Sequence, residues 1–209
     1  MSRPRATPKN WVHLEEVLAN SFFDYHVKGF DYVCLKRSFE HTIKLYFFDG
    51  DVSKMPEVVA PHDHRYDFDT RCLAGSVENR IYRPVSDGAP GAKRYEWFFY
   101  TTPLNGGSGF KWRGERFLAE DTHRRIVAKA GEYYPMWYEE IHTIQLRENS
   151  TVLRLDQYQD VVPMGVPTST YTTNREPPSL SGLYRKPKAD EVMARLNRLS
   201  PSLDLPRIV

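Results

Sequence analysis

Cysteine is nearly absent from this chain of 209 residues: only Cys34 and Cys72 occur. Two cysteines cannot make a disulfide scaffold, so the expectation is a pair of reduced, buried thiols in a cytoplasmic protein. Long apolar runs are missing too. None approaches the roughly 20 residues of a membrane helix, and no membrane contact is expected. Residues Met1–Asn10 carry positive charge with no apolar stretch behind them, so no secretory signal is expected. Charge of one sign is also lacking. With 29 Lys and Arg against 27 Asp and Glu, the net charge is +2 and a nucleic-acid partner is not expected. No internal repeat or low-complexity tract occurs.

Aromatics, in contrast, are plentiful, with 13 Tyr, 11 Phe and 4 Trp in a chain that is 40% hydrophobic. That supplies a sizeable core and excludes wholesale disorder. At about 150 residues per domain the length suggests one domain with an appendage. Behind Asn10, a good cap, Trp11, Leu14, Val17, Leu18 and Phe22 fall at intervals of three and four, predicting a helix over about 11–24. The period then becomes two. Short strands are predicted over about 32–36, 41–48, 57–65, 69–74, 76–83, 94–101, 124–128, 140–147 and 151–159, and residues 84–122 read as a long decorated hairpin. So many short strands between Gly, Pro, Asp and Asn turns indicate an antiparallel sandwich or barrel. Residues 161–187, rich in Pro, Thr and Ser, should run irregularly over the surface. Val192, Met193, Leu196 and Leu199 then share one face of a predicted helix over about 189–199.

Three of the seven histidines carry a chemical signal. Pro61-His62-Asp63-His64 places two imidazoles at i and i+2, so on a strand both project from one face, as half of a metal site. His142, in Glu140-Ile141-His142-Thr143-Ile144, lies on another predicted strand and can supply the third nitrogen. After His64 comes a strand-like run ending at Gly75. Before His142 comes Gly131-Glu132-Tyr133-Tyr134-Pro135-Met136-Trp137. The order is His-x-His, strand, glycine turn, variable hairpin, glycine turn, then one His.

In this arrangement the chain resembles the cupin superfamily over about residues 30–160. The interval Gly131 to His142 matches the second cupin motif in length, although Trp137 and Glu139 stand at its internal Pro and Gly positions and Leu146 replaces its downstream Asn. Counting back from Gly75 puts Phe68 where the first motif carries its Glu ligand. Asp67 and Asp69 flank that position, and a one-residue bulge would turn one or the other inward, with Asp69 the candidate fourth ligand. With Phe68 in place the set is three histidines, similar to the thiol dioxygenases of the cysteine dioxygenase type. Those enzymes carry Ser, His and Tyr at alternate positions on the strand after the third His. Arg154, Asp156 and Tyr158 occupy a comparable alternation, sharing only the Tyr.

The resemblance implies an all-β double-stranded β-helix, a jelly-roll barrel with helices at both ends. Its divisions are a tail and packing helix (1–27), a barrel (28–160) and an irregular extension ending in a helix (161–209). It further implies a non-haem Fe(II) dioxygenase taking O₂ and a small substrate bearing a thiol or carboxylate. The metal ligands would be His62, His64 and His142, with Tyr158 in a supporting catalytic role; Arg154, by its own forked donors and not by the resemblance, is expected to grip an anionic group. Two alternatives stay open: a Zn, Mn or Ni isomerase or lyase, and a non-catalytic ligand-binding cupin acting through assembly. His13, His26 and His123 read as surface or packing residues, and His41, between apolar neighbours, as a hydrogen-bonded core residue. Trp97, Phe98, Phe99, Tyr100, Phe110 and Trp112, with basic neighbours, would suit base stacking, but sheet core and a homodimer interface are the preferred reading.

Overall fold

The computed structural model describes residues 11–49, 59–102, 104, 106–177, 179–199, 203 and 205–209. Asn10, the expected helix cap, and residues 57–58 of an expected strand lie outside the described residues. Two antiparallel sheets face each other. One runs β2(Phe30–Arg37), β3(His41–Phe48), β11(Thr151–Asp160), β4(Tyr66–Ala74), β9(Tyr133–Met136). The other runs β10(Ile141–Leu146), β5(Ser76–Val85), β7(Gly109–Glu120), β6(Lys93–Thr101), β12(Thr168–Thr172), with β8(Ile126–Lys129) also paired to β5. The chain is an all-β jelly roll with one helix from each end. No helix among the described residues is long and apolar enough to cross a membrane.

Period-two alternation builds the barrel interior. Phe48, Phe68, Cys72, Leu153 and Leu155 from the first sheet meet Val77, Ile81, Ile144 and Leu146 from the second. The outer face of the first sheet is apolar as well. Ile43, Leu45 and Phe47 of β3 and Val33 and Leu35 of β2 lie beneath Val17 of α1(Leu14–Asn20) and Val192 of α2(Ala189–Leu196). Each such side chain, fully buried, contributes about 1.5–3 kcal/mol. At the two motif glycines the chain turns with φ of +72° at Gly75 and +93° at Gly131. A Cβ on Gly75 would come within 2.6 Å of Thr151 Oγ1, so that turn admits only glycine.

Several boundaries differ from expectation. The N-terminal helix is shorter than 11–24 because Trp11–Val12 (β1) pairs in parallel with Arg207–Ile208 (β13), and Phe22 bridges to Tyr32. Residues 59–65 form an extended segment holding isolated bridges rather than a regular strand. The long hairpin is present as β6 and β7, paired from Lys93–Leu118 to Thr101–Gly109. The stretch 161–187 is not wholly irregular. Thr168–Thr172 adds to the barrel as β12 along β6, where β-branched residues favour extension and β6 offers a free edge.

Candidate metal centre

The segment around His62 is held from both sides. His62 exchanges both backbone hydrogen bonds with His142 of β10, at 3.0 and 2.9 Å, and Tyr171 N–H of β12 donates to Pro61 O at 2.8 Å. His64 N–H donates to Tyr138 O at 3.0 Å. Asp63, on the opposite face, accepts the Ser169 N–H at 2.7 Å. The two-residue period therefore aims His62 and His64 inward together, beside His142.

The three rings form a near-equilateral triangle, with centroids 4.7, 5.0 and 5.0 Å apart. Their ligating nitrogens lie within 4.8 Å of one another. His62 Nδ1–H donates to Ala60 O at 2.9 Å, and His142 Nδ1–H donates to Asn79 Oδ1 at 2.5 Å. Asn79 is in turn fixed, because its amide nitrogen donates to Met136 Sδ. Those partners leave Nε2 of both rings as a bare lone pair. His64 Nε2 lies 2.8 Å from His142 Nε2, close enough for both to reach one ion. Burial lowers the basicity of all three imidazoles; for His64 and His142 the neighbouring His62 adds to the effect. Neutral rings are what a metal needs. Metal–nitrogen bonds of about 2.0–2.1 Å put adjacent donors about 3 Å apart, so the residues fit a first-row divalent ion.

The fourth position is not acidic. Phe68 points inward, its ring 4.8 Å from that of His64 and 5.9 Å from that of His142. Asp69 is turned away from the histidines and accepts the Tyr158 hydroxyl at 2.5 Å. The expected bulge is absent there: β4 and β11 stay in register from Cys72–Leu153 to Phe68–Gln157. Asp67 also faces away, taking the Tyr138 N–H at 2.8 Å.

Tyr158 and Arg154 need correction too. On β11 it is Leu153 and Leu155 that enter the barrel, so the alternating set Arg154, Asp156 and Tyr158 faces outward. Arg154 is paired with Asp156, Asp156 with His41 at 3.0 Å, and Tyr158 is 44% exposed. Neither residue reaches the histidines. His41 is accordingly a half-buried partner of Asp156 on the outer face and not a core histidine. His26, expected at the surface or in packing, lies against Tyr25 with ring centroids 4.1 Å apart.

Asn79 was missed by sequence reasoning. Its signal was its phase, since it alternates with inward Val77 and Ile81 and is a polar residue in an apolar row. Lys44 was missed for the converse reason: both faces of β3 carry apolar residues, so alternation there does not say which one is inside.

The chain matches no protein-family model and no curated protein sequence. Solved structures of similar architecture include hydroxypropylphosphonic acid epoxidase from S. wedmorenis (TM-score 0.38, 10% identity, 67% of this chain and 56% of that one). A second is hydroquinone 1,2-dioxygenase from Sphingomonas sp. with 4-hydroxybenzoate bound (0.37, 14%, 73% and 75%). A third is an uncharacterized Klebsiella pneumoniae protein with a double-stranded β-helix domain (0.36, 9%, 82% and 100%). The chain thus spans just over half the length of the epoxidase.

Proposed function

We propose that His62, His64 and His142 hold one divalent iron and that the protein is a non-haem dioxygenase acting on a small molecule. The observation that carries this reading is the donor set: three neutral imidazoles, two with Nδ1 tied back, and a phenylalanine where a carboxylate ligand would stand. Such a set leaves coordination positions open and adds no negative charge. Bound ferrous iron supplies the one-electron chemistry that reaction with dioxygen requires. The chain's own residues do the rest. Ala60 O and Asn79 fix two ring orientations, Phe68 closes one side against water, and the sheet holds the segment 60–64 rigid between β10 and β12. The donor set is that of the thiol dioxygenases, but the outward turn of Arg154 and Tyr158 removes the residues that would have matched their substrate-binding strand, so cysteine is not proposed as the substrate.

The test is metal content by mass spectrometry on untagged protein, beside a His62→Ala/His142→Ala variant, followed by oxygen uptake with small acids and thiols. Near-stoichiometric iron lost in the variant, with substrate-dependent oxygen uptake, is expected. Stoichiometric zinc, manganese or nickel with turnover independent of oxygen would replace this reading by a Lewis-acid isomerase or lyase. No metal after anaerobic reconstitution would end the enzymatic reading.

A further inference from the structure

Lys44 sits in the middle of β3, opposite Cys34 of β2 and Leu155 of β11, and faces the barrel interior with Tyr46 and Phe48. It is only 5% exposed. An ammonium so placed is costly unless an anion accompanies it. Among the described residues no carboxylate lies within ion-pair distance. Its contacts are neutral: it donates to Tyr66 Oη at 3.1 Å and lies 4.6 Å from the centre of the Tyr66 ring and 5.8 Å from that of Tyr32. Burial pulls its basicity down.

A second group nearby lacks a strong partner. The Tyr32 hydroxyl is buried in a residue 3% exposed, with the weakly bonding Cys34 thiol beside it and no oxygen or nitrogen partner. A cation with spare N–H donors and, its ring centre 5.8 Å away, a tyrosine with an unsatisfied hydroxyl are complementary to an oxyanion. The location also fits the histidines. Tyr66 touches both groups, its ring centroid 5.4 Å from that of His64 and its hydroxyl on Lys44. Tyr66, His62 and His64 are partly exposed.

We propose that Lys44, with the hydroxyls of Tyr32 and Tyr66, anchors the oxyanion of a small organic acid whose remainder lies over His62, His64 and His142. This rests on the reading of the three histidines as the reaction centre. Lys44 selects the substrate class by charge, while Tyr25, Phe30 and Tyr46 give its carbon skeleton an aromatic wall.

The test is calorimetric titration of the holoprotein with benzoate, phenylphosphonate and neutral benzamide, using wild type, Lys44→Met and Tyr32→Phe. Wild type is expected to bind one or both anions in preference to benzamide. Carboxylate and phosphonate are thereby told apart as the anchored group. Lys44→Met should weaken the preferred anion about tenfold or more, and Tyr32→Phe by a smaller factor. Benzamide binding should be unchanged. Lys44→Met should also melt higher than wild type, since it removes a desolvated charge; Tyr32→Phe removes only a hydroxyl beside the Cys34 thiol and keeps the test meaningful should the first variant misfold. Failure of folded wild type to prefer either anion, or anion affinity unaltered in both variants, overturns the proposal. Metal content on the same samples keeps the two readings apart. Metal-free wild type whose anion binding depends on Lys44 leaves the anchor standing and removes the oxygenase. Iron-loaded wild type indifferent to Lys44 does the opposite.

Discussion

His26 shows how far burial alone sets chemistry at the scale of one residue. It lies among Tyr25, Phe30 and Tyr184, with the Tyr184 hydroxyl 3.4 Å from its Nδ1. Desolvation first, then the positive charge that His62 and Lys44 carry or acquire, lowers its pKa from 6.5 to about 3. As pH falls through 6.5 the unfolded chain binds a proton here and the folded chain does not, so stability declines between about pH 6.5 and pH 3. The slope is at most about 1.4 kcal/mol per pH unit for that proton, and less because the ring is partly exposed. Melting of metal-free protein at pH 7, 5.5 and 4.5 should show a fall that is shallower in His26→Phe. Parallel curves would refute the assignment. Nothing local in the sequence distinguished His26 from His13, because its neighbours come from β2 and from the C-terminal segment. His62 and His64 were legible because two ligands two residues apart need only a locally extended chain.

Helix α1 and strand β2 depend on one hydroxyl at the scale of elements. β2 is an edge strand, and its Cys34 N–H points away from the ladder. Ser21, just past α1, accepts that N–H at 2.9 Å and donates to Val17 O at 2.5 Å. Ser21→Ala leaves a buried amide unsatisfied and should cost about 1–3 kcal/mol. Urea unfolding measures it, and an unchanged midpoint would show that water or a shift of the helix replaces the bond. Element types were largely readable from period and turn residues: β3 is bounded as expected at 41–48, and β5, β6 and β11 within two residues. β12 was not. Its five residues carry no apolar alternation, and what makes them a strand is the free edge of β6, a partner some seventy residues away.

Metal and stability are linked at the scale of the whole molecule. The barrel core is closed by Phe48, Phe68, Leu153 and Leu155, and His64 and His142 lie against it at Phe68. The fold should therefore survive chelation. Metal bound only by the folded state adds about 2.7 kcal/mol at a hundredfold excess over Kd. Exhaustive EDTA treatment should lower Tm, Fe(II) or Mn(II) should restore it, and the far-ultraviolet dichroism should not change. Loss of the β-sheet spectrum on chelation would make the metal structural.

By itself the sequence determined the strand-rich class, the two glycine turns, the His62-x-His64 pair and His142, because these depend on backbone period and on residue types that act locally. Tertiary structure alone decided which face of each strand enters the barrel. The five-stranded sheet carries α1 and α2 on its outer face, so alternation along β3 has two equally good phases, one through Ile43, Leu45 and Phe47 and one through Tyr46 and Phe48. The phase that places Leu153, Phe68 and Lys44 inside sends Arg154, Tyr158 and Asp69 out. Only the packing of the second sheet and the two helices selects it.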